Sequence, residues 1–384
     1  MKIKMLEDLE KTEEQNIAKD FISQEKKRPR WRRFAFGGWI LFLAVLLLGL
    51  GGSLVYKTSF TFSQMQTGDE DLGALILDES MATPTPESDR TNILLLGIRG
   101  EEDPNGGLLT DTMIILSIKK STGQTALISI PRDLYVSMPG KDYKEKINFA
   151  YALGFEKKGA AGGLLYSKIV VSQATGLYIN RAISVNHAAF KEVVDILGGI
   201  TITLDKPMIE DQQWIDGGDI GPSPAFFIRT DTASSSEGMI KKQKWVFEIP
   251  AGTSKLDGNT TLYFVRARYS SSDFDRARRQ QLALGAIKEK ALSLGVLGNP
   301  IKIYQILESL GRNVKTDMPW DEMKSLISLA GNFDSTKIAH KVFDTTPEGL
   351  LYSARASNGA YILLPQGDDF SKIKEASKNI FTKQ

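Results

Sequence analysis

The chain has no cysteine and only two histidines, His187 and His340, in 384 residues. The first absence removes disulfides, thiolate metal sites and cysteine nucleophiles together. The second leaves a structural zinc site or a Ser-His-Asp hydrolase with few possible members. Charge of one sign is also in short supply. The formal net charge is +2, whereas a general nucleic-acid binder carries a broad basic field, so no nucleic-acid partner is expected. No internal repeat is visible. What the composition does supply is a core: 42% of residues are hydrophobic and 24% charged, ordinary for a globular chain of one large or two small domains.

One long apolar run is present. Residues 34–56, FAFGGWILFLAVLLLGLGGSLVY, contain 23 residues without a charge. A bilayer takes about 20 residues as a helix, so the run is long enough to span. It is too long for the apolar region of a cleaved leader, and no small-x-small site follows it. Lys26-Lys-Arg-Pro-Arg-Trp-Arg-Arg33 precedes it with six basic residues in eight, against Lys57 alone on the far side. Basic residues stay in the cytoplasm. The expected organisation is a cytoplasmic segment over 1–33, a single-pass transmembrane helix over 34–56, and an extracellular remainder at the cell membrane. Trp31, Trp39 and Tyr56 suit the interfaces. Residues 57–90 read as a linker, ending in the proline-containing Glu79-Ser-Met-Ala-Thr-Pro-Thr-Pro-Glu-Ser-Asp89. The outer domain is expected over 91–384.

Within it, Asn92–Ile98, Thr112–Ile118 and Thr125–Ile130 are apolar runs of strand length. The short turn Lys119–Gln124 makes the last two neighbours. Ile183–Val185 and Ile200–Leu204 are expected to complete a central sheet. Leu164–Ser172 is helical in pattern. Ala188–Gly199 is amphipathic and closed by a glycine pair. A long helix is expected from Ser272 or Asp273 to about Leu294, with later helices at Pro300–Leu310, Trp320–Leu329 and Phe370–Ile380. Strands alternating with helices imply a single α/β/α-layered domain with a mixed central sheet. Residues 205–243 are rich in Gly, Pro and Ser and read as an irregular insertion.

Chemistry in such a domain collects at strand ends. Asp111 precedes one strand, and Arg132-Asp133 follows another. The densest signal is Tyr263–Gln281, which holds Arg266, Arg268, Arg276, Arg278 and Arg279. Guanidinium groups at ordered spacing meet anions with several oxygens. If the stretch around Arg266 and Arg268 is extended, both point to one side. In the following helix Arg276, Arg279 and Gln280 share a face, which Leu284 and Ile287 continue. Arg278 points elsewhere. Such a helix offers head-group contacts first and an apolar surface beyond, as an anionic amphiphile requires. Asp273 alternatively reads as the helix N-cap. Lys146 either meets phosphate or solvates a loop. His187 reads as packed or exposed rather than catalytic.

In series, Asn92-Ile-Leu-Leu-Leu-Gly97, Thr110-Asp-Thr-Met113, Ser129-Ile-Pro-Arg-Asp133, Lys146-Ile-Asn-Phe-Ala-Tyr151, Phe190–Ile200, Leu256-Asp-Gly258, Val265-Arg-Ala-Arg268 and Asp273–Gln281 resemble the LytR–CpsA–Psr family of cell-envelope proteins, in that family's order over about residues 91–295. The resemblance implies a phosphotransferase at the outer membrane face. Such an enzyme moves a glycopolymer from a polyprenyl diphosphate carrier to peptidoglycan through a phosphodiester bond. It implies that Arg132, Arg266, Arg268, Arg276 and Gln280, with Arg279 and Lys146 in support, hold the diphosphate. It further implies that Asp111 helps to bind Mg2+ and to take the acceptor's proton, and that Asp133 and Asp273 orient arginines. One departure bears on the metal. Many members carry an aspartate after the first strand in a Gly-x-Asp-x-Arg setting, and a basic residue shortly before the aspartate matching Asp111. Here the text is Gly97-Ile-Arg-Gly-Glu-Glu-Asp103, and Thr110 precedes Asp111. Asp103, Glu101 or Glu102 could replace the metal ligand, or Arg99 could supply charge instead. A non-catalytic binder of polyprenyl-phosphate lipid or wall polymer, and a hydrolase of the diphosphate, are the competing readings.

Overall fold

The computed structural model describes residues 57–67, 82–101, 107–217, 220–235, 238–293, 295, 299–330 and 338–382. The expected cytoplasmic segment 1–33 and membrane helix 34–56 lie outside the described residues, as does Asp103. Among the described residues no helix is long and apolar enough to cross a membrane.

A six-stranded sheet organises the domain. Its strands are β1 (Arg90–Ile98), β2 (Thr112–Lys119), β3 (Thr125–Ser129), β6 (Arg181–Asn186), β12 (Val314–Thr316) and β13 (Ala339–Val342), in the order β12-β6-β1-β2-β3-β13, while β4 (Tyr135–Ser137) and β5 (Lys144–Lys146) pair only with each other. The β1–β2 and β2–β3 pairs are antiparallel hairpin neighbours, whereas β6 runs parallel to β1 and β13 parallel to β3. The sheet is therefore mixed, as the alternation of apolar runs with helical patterns predicts. Side chains alternate across a strand. Leu94, Leu96 and Ile98 of β1, with Met113 and Ile115 of β2, join one buried cluster. That cluster is covered by Leu164, Ile169 and Val170 of helix α1 (Ala150–Thr175) and by Ile373 of α7 (Ser371–Lys378). Leu95 and Gly97 of β1, with Thr112 and Ile114 of β2, face the other way, toward a cavity.

The second face is roofed by α2 (His187–Leu197), α3 (Gly258–Arg266) and α4 (Asp273–Ala291). Asn186 caps α2, its side chain accepting from the Ala189 amide at 2.8 Å. Gly198 ends the helix at φ 82°, a left-handed position open to glycine. Asp257 caps α3 through the Thr260 amide, at 2.7 Å. Ser272 and Asp275 form a reciprocal capping box on α4. Helices α5 (Pro300–Asn313) and α6 (Trp320–Ala330) follow, each close to its expected span.

Four expectations change. Ile200–Leu204 does not enter the central sheet; it is β7, paired with β11 (Gly252–Leu256) in a ribbon of its own. Its alternating polar residues leave Thr201 and Thr203 facing solvent, which suits a ribbon better than a central strand. The supposed irregular insertion contains a second sheet: β8 (Met208–Glu210), β9 (Phe226–Ser235) and β10 (Gly238–Ile249). Phe226 of β9 and Trp214 from the preceding loop pack edge-on against Tyr263 of α3, and Phe247 of β10 packs tilted against it. The turn residues had masked that tertiary partner. The stretch up to Arg266 is helical rather than extended, because Tyr263, Phe264 and Val265 are all buried on a capped helix. Finally, the expected linker is not wholly unstructured. Residues 57–65 are helical, Phe62 and Met65 are buried, and the Thr67 amide donates to the Thr316 carbonyl at 2.9 Å.

Candidate functional site

The cavity between the sheet and helices α2–α4 has a volume of about 410 Å³. Its inner wall is apolar: Leu95, Ile114 and Val185 from strands, Phe190 from α2, Leu262 and Val265 from α3, Leu284 from α4, and Trp214. Its mouth is basic, with Arg99, Arg132, Arg266, Arg268 and Arg276 together with Asp111, Gln213 and Gln280. Gly97 sits at the floor, where an added Cβ would lie 2.9 Å from Thr112 Cβ. A side chain there would wedge β1 from β2.

The polar mouth follows from the topology. Arg99 leaves the end of β1, Asp111 enters β2, and Arg132 and Asp133 leave β3, so antiparallel pairing brings three chain segments to one end of the sheet. Arg266 occupies the last turn of α3 and Arg268 the loop beyond. Arg276 and Gln280 occupy the first turns of α4. Arg132 Nη1 donates to Asp111 Oδ1 at 2.5 Å, and Arg99 Nε lies 3.6 Å from Asp111 Oδ2. Asp273 stands among three guanidinium groups, 3.3 Å from Arg276, 3.6 Å from Arg132 and 3.7 Å from Arg268. Ser272 takes the capping duty, which leaves Asp273 to the arginines. Asp133 is buried and accepts from Lys146 Nζ at 2.7 Å. Lys146 lies outside the first cavity and lines an adjoining one of about 520 Å³, which shares Arg132, Arg268 and Tyr269 with it.

Burial pushes the Asp111 carboxyl up, but Arg132, Arg276 and Arg99 outweigh it and hold the group below its ordinary value. Burial likewise lowers Arg276, only partly offset by Asp273. For Arg132 burial is overcome by Asp111, Asp133 and Asp273, and the net shift is upward. Two like-charged guanidiniums, mostly buried and 8% and 18% exposed, are thus held together by carboxylates placed between them. Arg132 Nε is buried without a hydrogen-bond partner among the described residues. Such a cluster is organised in advance for an anion.

Arg279 does not join them. It is buried, donates from Nε to the Phe264 carbonyl at 2.9 Å and from Nη2 to the Ala267 carbonyl, and reaches Ser271 Oγ at 3.3 Å. Its face of α4 turns to the end of α3, so its donors are taken by orphan helix carbonyls. The head-group role expected from its spacing is corrected to a structural one. Ile287 packs in the second buried cluster instead of lining the cavity, although Leu284 does line it. Arg278 is exposed and pairs with Asp275 at 2.8 Å, away from the site. His187, read from the sequence as packed or exposed rather than catalytic, lines the cavity, and Trp214 and Gln213 come from the segment read as irregular. Gln213 Oε1 accepts from the Arg268 amide at 2.9 Å, which fixes the loop that carries that arginine. Only the aromatic content of the segment hinted at such a role.

Magnesium, the ion that the family resemblance implies, takes oxygen ligands, commonly one or two carboxylates plus water. Asp111 is the one carboxylate lining the first cavity among the described residues, and both its oxygens face guanidinium groups. No group of three or more acidic or histidine side chains suited to a metal occurs among the described residues. The described side chains do not fit the ion.

Fold and site together define an α/β domain with an apolar cavity that arginines line at one end. A model of the LytR_cpsA_psr family matches residues 58–379, and the chain belongs to that family. Among characterised relatives, the polyisoprenyl-teichoic acid–peptidoglycan teichoic acid transferase TagU of Oceanobacillus iheyensis is 31% identical over 311 residues, 79% of this chain and 82% of the relative. The transferase TagT of Bacillus subtilis is 28% identical over 276 residues, 70% and 72% of the two chains. The crystal structure of B. subtilis TagV shares the fold at a TM-score of 0.53 and 21% identity, covering 78% of this chain and 99% of that one. The structure of TagT bound to LIIa-WTA does so at 0.53 and 20%, covering 80% and 95%.

Proposed function

We propose that this chain is a membrane-anchored phosphotransferase that moves a glycopolymer from a polyprenyl diphosphate carrier to peptidoglycan. The observation that carries the reading is the junction of five arginines with an apolar cavity at one end of the sheet. A diphosphate suits the first and a prenyl chain the second. Family membership and the transferase relatives support the reaction class. The uncharged run 34–56 with its basic flank supports a single-pass anchor with the catalytic domain outside.

In this reading Arg132, Arg266, Arg268, Arg276 and Gln280 hold the diphosphate, and Lys146 and Asp133 approach it from the adjoining cavity. An acceptor hydroxyl of peptidoglycan forms a new bond to the glycan-bearing phosphorus. The bond to the bridging oxygen breaks, and polyprenyl phosphate leaves with the proton given up by the hydroxyl on the oxygen it carries away. Transfer of this kind depends on positioning and charge stabilisation more than on covalent help from the protein. Asp111, ionised and bonded to Arg132, is a weak base and serves as a positioning residue for that arginine. Asp273 does the same for Arg276 and Arg268.

The test is incubation of the full chain, in detergent micelles, with a polyprenyl-diphosphate glycan and peptidoglycan oligomers. A phosphodiester-linked product is expected. Lipid bound but unchanged would make the protein a binding module, and free glycan phosphate would make it a hydrolase; either result overturns the transfer reading.

A further inference from the structure

Arg99 occupies the place where the family resemblance leads one to look for an acidic metal ligand. The chain reads Gly97-Ile-Arg99 where many members read Gly-x-Asp, and it lacks their basic residue just before the next aspartate. The fold turns these two departures into one exchange. Arg99, leaving β1, lies 3.6 Å from Asp111 at the start of β2. The Asp111 amide donates to the Gly97 carbonyl at 3.0 Å, which locks the two strand ends together. A positive charge missing beside Asp111 in sequence is restored across the hairpin, on the side chain that displaces the acidic one.

We infer that Arg99 replaces the divalent cation in this chain, so that the lipid diphosphate is held and neutralised by the protein's own cationic side chains without a metal. The inference rests on the proposed diphosphate site. Three considerations support it. Both oxygens of Asp111 face guanidinium groups, Arg132 at 2.5 Å and Arg99 at 3.6 Å. A cation placed there would meet two guanidinium charges within a few ångströms, a repulsion that low local dielectric strengthens. The charge balance also closes. Among the described residues, the charged side chains lining the two cavities comprise six basic and three acidic groups, a surplus of three positive charges. A diphosphate esterified at both ends brings about two negative charges, which that surplus meets without a metal. Arg99 is 30% exposed, enough to reach an incoming oxygen while keeping its tie to Asp111.

The experiment uses the full chain in detergent micelles, with geranylgeranyl diphosphate as the binding probe and Mn2+ as the metal probe. Calorimetry in EDTA and in excess Mg2+ is expected to give the same affinity within about twofold for the natural sequence, because charge-assisted bonds from arginine supply the contact. Arg99→Ala is expected to weaken the probe by about tenfold to a hundredfold in EDTA, the range for losing a bond between charged partners, and Arg99→Lys to recover part of it. Arg99→Asp is expected to bind Mn2+, seen by electron paramagnetic resonance, where the natural sequence does not, and to make probe binding depend on the divalent ion. Loss of probe affinity in EDTA by the natural sequence, or Mn2+ bound to it at the site, would overturn the inference while leaving the diphosphate site standing. No binding of the probe under any condition would overturn both. Should Arg99→Asp fail to fold, the EDTA comparison and Arg99→Ala decide the matter by themselves.

Discussion

Arg279 offers the sharpest separation of a structural arginine from a binding one. Replacing it by alanine removes two hydrogen bonds to the Phe264 and Ala267 carbonyls and a third to Ser271. It also removes the guanidinium that lies 6.0 Å from the centre of the Phe264 ring. Burial pulls this guanidinium down to about 10, with Asp275 and Glu210 only partly compensating, so its bonds belong at the low end of their range. Three bonds from a charged donor at about 1.5 kcal/mol each give a loss of about 4.5 kcal/mol. With a urea slope of about 3 kcal/mol per molar, the unfolding midpoint should fall by roughly 1.5 M. Tryptophan fluorescence reports it, because Trp214 packs 5.2 Å from Tyr263 on the helix whose end Arg279 holds. Arg279→Lys, which cannot reach two carbonyls at once, should restore less than half of the loss. Folded Arg279→Ala should bind geranylgeranyl diphosphate within a fewfold of the natural chain, whereas Arg276→Ala should do the reverse. An unchanged midpoint with a tenfold loss of affinity would refute the structural assignment and return Arg279 to the head group.

Other outcomes follow from the same geometry. Leu284→Lys places an amine at the apolar wall and should weaken geranylgeranyl diphosphate by about 2 kcal/mol while sparing inorganic diphosphate; equal loss for both ligands would remove the tail from this cavity. Gly258→Ala sets a Cβ 2.3 Å from the Lys191 carbonyl of α2, and prising α3 from α2 should cost about 1–3 kcal/mol in urea unfolding. Hydrogen bonds from Lys244, Ser270 and Arg229 hold Asp211 down from 3.8 to about 2. Its contribution is complete above the ordinary carboxyl value and lost as pH falls through 3.8 toward 2. With solvent screening that loss is about 1 kcal/mol, and Asp211→Asn should flatten this part of the acid limb; an unaltered limb would remove Asp211 as its source.

Much of the domain is readable from local pattern. The runs around Leu94, Ile115 and Ile128 are strands because their apolar content is continuous and bounded by turn residues. Helix α2 and its glycine stop are written in a dozen residues. The arginines were visible as a cluster, since guanidinium density is a property of composition. The β8–β10 sheet was not, because Phe226 and Phe247 find their partner only when Tyr263 arrives from another segment. The difference between Arg276 and Arg279 was not readable either. Both lie on one face of α4 by spacing, but that face is divided between the cavity and the end of α3.

By itself, then, the sequence determined the alternation of strands and helices, the apolar run with its basic flank, the family, and the identity of the groups able to meet an anion. These rest on short-range periodicity and on side-chain chemistry, which need no partner to be read. The tertiary structure decided which groups meet. It closed the β1–β2 hairpin to set Arg99 against Asp111, placed Asp273 among three arginines, and turned Arg279 inward to satisfy carbonyls. Those outcomes depend on which chain segments pack together, and on the rule that buried polar groups and charges stay inside only with partners of their own.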